Sequence, residues 1–261
     1  MWNIIVTLQL LLYAANNHTQ PTFQHGSYQI AAICSDGIVI GTDTRIAIND
    51  RRGNILAYYD TVQKVYDMPG FIISSSGAYL LNDKYPYFYY HLFSQQPQQA
   101  DTSLLSTILG FYKFLRQTDK SAYRLVTQRN KLLFAQYEGT TPIIGILEKG
   151  RIDTVKNEGF ICEDDLSGFP YNPTVDCATM ARVIETTIQQ YVARYHKSHE
   201  INTYISVLKI TPGNHTEWIL HPPKHPAWQT ETDFFKAMQQ NEIQVYFTSP
   251  KAEQLLRQSW P

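Results

Sequence analysis

Two apolar, β-prone stretches, residues 28–33 and 38–40, lie on either side of Ser35-Asp36-Gly37 near the start of the chain. Asp-Gly between two such stretches is a strong signal for a β-hairpin, because glycine accepts the left-handed backbone that a tight turn needs. Asp43 ends the second strand pattern and Lys64 lies in a later one. The chain is therefore predicted to build a β-rich core around this hairpin, with charged groups close to it.

The rest of the chain consists of blocks of strand patterns and blocks of helical patterns. Strands are predicted at residues 55–59, 61–68, 71–75, 132–137, 143–147, 152–155, 204–210, 218–220 and 245–247. Helices are predicted at residues 78–93, 103–115, 173–195 and 233–238, and residues 46–54 are predicted as a charged loop. Asp101 or Thr102 is the expected N-cap of the second helix.

This order predicts an α+β fold, because blocks of strands followed by blocks of helices favour stacked layers over a βαβ alternation. The specific expectation is a four-layer αββα sandwich, with two antiparallel sheets between helices. A length of 261 residues fits a single domain with one sizeable core.

Composition excludes several classes of partner and cofactor. The formal net charge is -1, so no basic surface field indicates nucleic acid or an anionic membrane. Three cysteines do not make a disulfide framework, and no Cys/His spacing indicates zinc. Cys34 is interpreted as a small buried residue of an apolar strand. Nucleotide, flavin and metalloprotease motifs are absent from the sequence, so no cofactor is expected.

The N-terminal segment has the character of a targeting sequence. Residues 1–15 form an apolar run that is too short to span a bilayer and resembles the core of a secretory signal, although no Lys or Arg precedes it. Residues 16–26 are polar and indicate a short propeptide or linker, and residues 27–261 form the predicted domain. A secreted or periplasmic location is expected if residues 1–15 are a signal. Otherwise the segment is an extension and the protein cytoplasmic.

Several short motifs occur in a fixed order between residues 26 and 210. They are Gly26-Ser27, Asp36-Gly37-Ile-Val-Ile-Gly-Thr-Asp43-Thr-Arg45, Thr61-Val-Gln-Lys64-Val65, Ser75-Ser76-Gly77-Ala78 and Ser167-Gly168-Phe-Pro-Tyr171. Asp43 lies sixteen residues after Ser27. In order and spacing, these motifs resemble those of the 20S proteasome subunit family, β-type, within the N-terminal nucleophile hydrolases.

The resemblance implies a catalytic site that forms by self-cleavage between Gly26 and Ser27. Ser27 would then attack an amide carbonyl while its own free α-amine acts as the base. Lys64 would keep that amine neutral through its positive charge, and Asp43 would hold Lys64 in place. Gly77, expected at the start of a helix, would offer a backbone N–H to the oxyanion. The resemblance also assigns Ser167 to the network around the α-amine.

Each of these residues also has a structural interpretation. Ser27 could be an ordinary strand residue, Asp43 could form a strand-end ion pair with Arg45, and Gly77 could serve a tight turn. Ser167 could lie in a loop without a role. His196 and His199 follow the longest helix and are interpreted as capping or surface residues.

Two departures from the family pattern keep a second function open. Serine stands where the active family members have threonine, and residues 195–202 lack the family's Asp-x-x-Ser-Gly-Gly motif. The first hypothesis is a hydrolase of peptide or other amide bonds. The second is a catalytically inactive scaffold or ring subunit. Under either hypothesis, the resemblance implies a homo- or hetero-oligomeric assembly.

Overall fold

The computed structural model describes residues 23–25, 27–50, 52–96, 103–162, 168–196, 200–223 and 229–259. Fourteen β-strands and six α-helices lie within these residues. The strands are β1 (Phe23–His25), β2 (Gln29–Cys34), β3 (Gly37–Asp43), β4 (Ile46–Asn49), β5 (Ile55–Tyr59), β6 (Val65–Met68), β7 (Phe71–Ser76), β8 (Lys131–Glu138), β9 (Thr141–Glu148), β10 (Arg151–Lys156), β11 (Phe160–Cys162), β12 (Ile205–Thr211), β13 (His215–Leu220) and β14 (Val245–Phe247). The helices are α1 (Pro86–Ser94), α2 (Leu104–Thr118), α3 (Lys120–Arg129), α4 (Cys177–Tyr195), α5 (Glu231–Gln239) and α6 (Pro250–Ser259). Among the helices in this part of the chain, none is both long and apolar enough to cross a membrane.

The predicted hairpin forms the centre of a five-stranded antiparallel sheet with the order β11-β2-β3-β12-β13. Strands β2 and β3 pair with Cys34 opposite Gly37, which leaves Ser35 and Asp36 in the turn and confirms the hairpin. Both strands are buried along their whole length. A strand that is covered on both faces needs apolar residues at successive positions, which explains the largely continuous apolar pattern.

A second five-stranded antiparallel sheet has the order β10-β9-β8-β7-β6. One hydrophobic cluster contains buried side chains from both sheets. Its buried members are Ala31, Ile33, Ile38, Ile40, Leu208 and Ile210 from the first sheet and Val65, Ile72, Leu133, Ala135, Tyr137 and Ile144 from the second. Because burial of one large aliphatic side chain contributes about 1.5–3 kcal/mol, this contact is a major part of the core.

The helices pack on the other faces of these two sheets. Met180, Ile184 and Ile188 of α4 share a buried cluster with Val39 and Val207 of the first sheet. Successive strand residues point to opposite faces, so α4 lies on the face that does not contact the second sheet. Helices α1, α2 and α3 contact the second sheet in the same way, through a separate cluster.

A third, four-stranded antiparallel sheet has the order β1-β4-β5-β14. Its core face packs against α5 and α6 through a cluster that includes Ile46, Tyr59, Phe234 and Leu256. The α+β class is confirmed, and the described residues form three antiparallel sheets where two were expected. The outer strands β1 and β14 are three residues long and come from opposite ends of the chain, so only long-range pairing defines them. The predicted loop at residues 46–54 contains β4.

The first predicted helix, residues 78–93, begins later than expected. Helix α1 starts at Pro86, after Tyr85 in an extended conformation. Asn82 and Asp83 before it have φ values of 53° and 63° and form a turn, closed by a bridge between Leu81 and Lys84. A proline at the first helical position fits the start of a helix, because its missing N–H would have no partner there.

The other helices differ from the predictions at their caps. Ser103, not Asp101 or Thr102, is the N-cap of α2, and its side chain accepts a hydrogen bond from the N–H of Ser106. Asp119 caps α3, a helix that the sequence did not predict. Asp176 caps α4, which therefore begins four residues later than predicted. A side-chain acceptor at the N-cap stabilises a helix start by about 1 kcal/mol.

Candidate functional site

Asp43 is the last residue of β3, and its carboxylate is completely buried. Its Oδ1 accepts a hydrogen bond of 2.7 Å from the backbone N–H of Tyr28, and its Oδ2 accepts one of 3.0 Å from the N–H of Arg45. The ammonium of Lys64 lies 3.2 Å from Oδ1 and 3.1 Å from Oδ2. The carboxylate thus joins the ends of two strands to one buried cation.

Lys64 lies between β5 and β6, directly before β6, and is also completely buried. Besides Asp43, its Nζ donates to the carbonyl oxygen of Arg45. Burial lowers the pKa of the Lys64 ammonium, while the charge and hydrogen bonds of Asp43 act in the opposite direction. A buried cation with a lowered pKa and an anionic partner is a common feature of functional sites, although structural ion pairs show it too.

Ser27 is half-buried and lies two residues before the first residue of β2. The next residue, Tyr28, is the one whose N–H binds Asp43. Ser27 is therefore the residue directly before the one whose N–H binds the Asp43 carboxylate. Asp43 thus binds Lys64 through its side chain and the chain next to Ser27 through the N–H of Tyr28.

Arg45 was considered above as the partner of Asp43 in a strand-end ion pair. Its guanidinium instead binds Asp60 through two hydrogen bonds, Nε–Oδ1 at 2.6 Å and Nη2–Oδ2 at 2.7 Å. The same guanidinium lies 4.0 Å from the centre of the Tyr58 ring. Asp60 was not identified from the sequence, because nothing local to either residue indicates the pairing.

Gly77 follows β7 with φ of +98°, a conformation that side chains rarely adopt. A Cβ at this position would collide with the backbone carbonyl of Arg129. The expected place at the start of a helix was wrong, since α1 begins at Pro86. Gly77 therefore receives no help from a helix dipole, and its geometry is that of a tight turn against the end of α3.

Two predicted site residues, Gly26 and Ser167, lie outside the described residues. The residues just after Ser167 are described in part. The hydroxyl of Tyr171 donates a hydrogen bond of 3.0 Å to the carbonyl of Ile33, which ties this loop to β2. His196 is a helix C-cap in the left-handed conformation, as the capping interpretation expects, whereas His199 is not described.

Asn202 is a site residue that sequence reasoning missed. Its Oδ1 accepts a hydrogen bond of 3.0 Å from the N–H of Thr44, and its Nδ2 donates one of 2.9 Å to the Thr44 hydroxyl. The hydroxyl in turn donates to the carbonyl of Tyr204 at 3.1 Å. The region after α4 lacks the family motif, yet through Asn202 it binds Thr44, the residue that follows Asp43. The sequence did not indicate this contact, because a single Asn before a strand is not part of a recognisable motif.

The chain just before the candidate cleavage point forms strand β1. It pairs antiparallel with β4, with Phe23 opposite Asn49 and His25 opposite Ala47. Residues 23–25 of the segment predicted as a propeptide or linker thus lie along the edge of the third sheet.

Comparisons with known proteins give structural neighbours only. No family model and no curated protein matches the sequence. A solved structure of an Anbu (Gly-1) mutant from Hyphomicrobium sp. strain MC1 matches with 16% identity and a TM-score of 0.53, over 83% of this chain and 98% of that one. Anbu (ancestral beta-subunit) from Yersinia bercovieri matches with 12% identity and a TM-score of 0.52, over 82% of this chain and 92% of that one.

These findings correct the identification of the chain as a divergent 20S proteasome subunit of the β type. That identification is wrong, because the neighbours found are Anbu proteins and no family model recognises the sequence. Three of the motifs coincide with structural elements, namely a hairpin, a buried ion pair and a tight turn. At identities this low, the comparison shows a common fold alone: the chain has the fold of the Anbu proteins.

Proposed function

We propose that this protein is an amide hydrolase that cleaves itself between Gly26 and Ser27 and then uses Ser27 as an N-terminal nucleophile. One observation carries the proposal. The buried carboxylate of Asp43 binds both the ammonium of Lys64 and the N–H of Tyr28, the residue that follows Ser27. A nucleophile at Ser27 would therefore have a buried cation and a fixed backbone beside it.

Self-cleavage would proceed as an N→O acyl shift. The hydroxyl of Ser27 attacks the carbonyl carbon of Gly26, the C–N bond breaks, and the proton lost by the hydroxyl passes to the nitrogen, which becomes the new α-amine. The resulting ester is hydrolysed by water, which releases the segment ending in Gly26. Glycine before the bond suits this step, because it tolerates the strained backbone that the attack needs.

After cleavage, the α-amine of Ser27 would act as the base for its own hydroxyl. A free α-amine has a pKa near 8, so a substantial fraction is neutral at physiological pH. The positive charge of Lys64 would favour the neutral amine and stabilise the developing alkoxide. In this proposal Asp43 orients Lys64, the N–H of Gly77 faces the oxyanion, and Ser167 completes the surroundings of the amine.

The proposed substrate is a peptide or another amide in an extended conformation. Strand β1 supports this choice, since the residues before the cleavage point already pair with the edge of β4. Release of β1 would leave that edge open to the residues on the N-terminal side of another scissile bond. We also propose the four-layer αββα arrangement, oligomeric assembly, and secretion directed by residues 1–15.

A second candidate is a non-catalytic, proteasome-like scaffold subunit. The observation in its favour is that the Lys64 ammonium is already bound by Asp43 and by the carbonyl of Arg45, as in a structural ion pair. The name of one structural neighbour, an ancestral beta-subunit, is consistent with either candidate.

Mass spectrometry of the purified protein separates the two candidates. An N-terminus at Ser27, lost when Ser27→Ala is introduced, supports the hydrolase. Ser121→Ala is the matched control, because Ser121 is an exposed serine in the first turn of α3 and should leave processing unchanged. An intact Gly26–Ser27 bond in wild type, without labelling of Ser27 by an electrophilic amidase inhibitor, would support the scaffold.

A further inference from the structure

Two of the three cysteines meet where the β2–β3 hairpin contacts the start of α4. Cys34 is the last residue of β2 and Cys177 is the first residue of α4, and both side chains are buried in the same cluster. Two hydrogen bonds join the backbones beside them. The N–H of Ser35 donates to the carbonyl of Val175 at 3.0 Å, and the N–H of Cys177 donates to Oδ1 of Asp36 at 2.7 Å.

The sulfur of Cys177 lies over the strand pair that contains Cys34. Cys34 is directly opposite Gly37, and a Cβ placed on Gly37 would be 3.1 Å from Sγ of Cys177. Directly opposed residues of an antiparallel pair have their Cβ positions about 5 Å apart on the same face. Cys34 therefore points to the face on which the Cys177 sulfur lies, within reach of it.

The state of the thiols is consistent with this contact. A hydrogen bond with the Cys34 thiol, together with burial, raises the pKa of the Cys177 thiol well above its usual range. The third cysteine is elsewhere. Cys162 pairs with Ile30 on β2, four residues from Cys34, which is about 13 Å along the strand. Only Cys34 and Cys177 are thus placed to react with each other.

We infer that Cys34 and Cys177 form a disulfide when the protein folds in an oxidising environment, which fixes the start of α4 to the β2–β3 hairpin. The oxidant is a disulfide of the thiol-exchange class, such as oxidised glutathione. One cysteine thiolate attacks it to give a mixed disulfide and one thiol. The second cysteine thiolate then attacks the mixed disulfide and releases the other thiol. The protein has then lost two S–H bonds and gained one S–S bond, while the S–S bond of the oxidant is broken and two thiols form from it.

The timing of this reaction follows from burial. Thiolates are the reactive species, and a buried thiol with a raised pKa yields few of them. In the folded protein, Cys177 is therefore protected from reagents in solution. The bond is expected to form during folding, before α4 covers the hairpin. Secretion, as proposed above for residues 1–15, would place that folding step in a suitable compartment.

The test is peptide mapping of the full-length chain after refolding. Reduced, unfolded protein is refolded in a mixture of reduced and oxidised glutathione, blocked with an alkylating reagent, and digested without reductant. Mass spectrometry is expected to find the Cys34 and Cys177 peptides joined with the loss of two hydrogens, and Cys162 alkylated. The Cys162→Ser variant should give the same linked pair, and wild type folded under reducing conditions should oxidise much more slowly.

Other maps would overturn the inference. The inference is overturned if correctly refolded protein has Cys34 and Cys177 alkylated or bound to glutathione. It is also overturned if the disulfide that forms includes Cys162. The mapping needs no substitution at the two cysteines, so a variant that fails to fold does not affect it. Repeating it with Ser27→Ala separates it from the proposed hydrolase, since the linkage should form whether or not the chain cleaves itself.

Discussion

The Nζ atom of Lys64 lies 3.1 Å from Oδ2 of Asp43, and both side chains are completely inaccessible to solvent. Two charges taken out of water lose their hydration, and their attraction offsets this loss only when the geometry is good and the remaining polar atoms are bonded. Here the carboxylate also receives two backbone N–H groups, from Tyr28 and Arg45. The pair is therefore well satisfied as long as both members are present.

Replacing Lys64 with methionine should destabilise the fold strongly, because it leaves the Asp43 carboxylate buried without its cation. The expected loss in the free energy of unfolding is about 3–5 kcal/mol, measured by urea denaturation. Lys156→Met is the control, since Lys156 is half-exposed and pairs with Glu138 at 3.6 Å. That loss should be below about 1 kcal/mol. Equal losses in the two variants would contradict the importance of the buried pair.

Alanine at Gly77 should cost far more stability than alanine at Gly70. Both glycines have positive φ, +98° and +87°, so both substitutions carry about 1–2 kcal/mol of backbone strain. Only at Gly77 would the new Cβ also meet a backbone atom, the carbonyl of Arg129, whereas nothing lies within 4 Å at Gly70. The collision should add about 1–3 kcal/mol. Thermal unfolding of the two variants in parallel gives the comparison. Similar Tm values would contradict the prediction and show that the end of α3 shifts to make room for the new Cβ.

The elements that could be predicted from sequence are those with a strong local signal. The β2–β3 hairpin follows from Asp36-Gly37 between two apolar stretches, and α4 follows from its apolar periodicity. Errors occur where a local pattern is ambiguous. The apolar residues after Gly77 are close to helical spacing, yet the left-handed turn at Asn82 and Asp83 delays the helix to Pro86.

Contacts between distant segments could not be predicted in the same way. The resemblance assigned Ser27, Asp43 and Lys64 to one site. In the structure, Lys64 binds Asp43, and Asp43 accepts a hydrogen bond from the N–H of Tyr28, which follows Ser27. Arg45 and Asp60 flank the paired strands β4 and β5, and Thr44 and Asn202 flank the paired strands β3 and β12. No periodicity or turn signal in the sequence indicates which distant segments come into contact.

Buried tyrosines should make the protein sensitive to alkaline pH. The hydroxyls of Tyr66 and Tyr79 lie 2.7 Å apart and both bond the carbonyl of Gln63. Burial raises the pKa of both phenols above the value of about 10 in the unfolded chain. The folded state therefore keeps protons that the unfolded state releases. Stability is fully present below about pH 10 and falls above it, by roughly 1.4 kcal/mol per pH unit for each tyrosine.

Urea unfolding at a series of pH values checks this slope. Tyr66→Phe should make the decline shallower by the contribution of one tyrosine, because phenylalanine has no proton to lose. Tyr195→Phe is the control, since Tyr195 is exposed at the end of α4 and its replacement should leave the slope unchanged. An unchanged slope in Tyr66→Phe would mean that this phenol ionises without unfolding the chain.

Asn202 should matter for stability, and under the proposed function also for self-cleavage. Asn202→Ala removes two hydrogen bonds to Thr44 and leaves the N–H of that residue without its side-chain acceptor, which should cost about 1–3 kcal/mol. Asn172 offers a matched control. Its Oδ1 contacts the same two groups of Thr174, accepting from the N–H at 3.0 Å and from the hydroxyl at 2.8 Å, but on the surface.

Asn172→Ala should therefore change the free energy of unfolding by no more than about 0.5 kcal/mol. Since Thr44 directly follows Asp43, loosening it should also let the carboxylate move relative to Ser27. We expect Asn202→Ala to slow the appearance of the Ser27 N-terminus at a temperature where the variant is still fully folded, and Asn172→Ala to leave the rate unchanged. Loss of stability in Asn202→Ala with an unaltered rate of processing would limit this residue to a structural role.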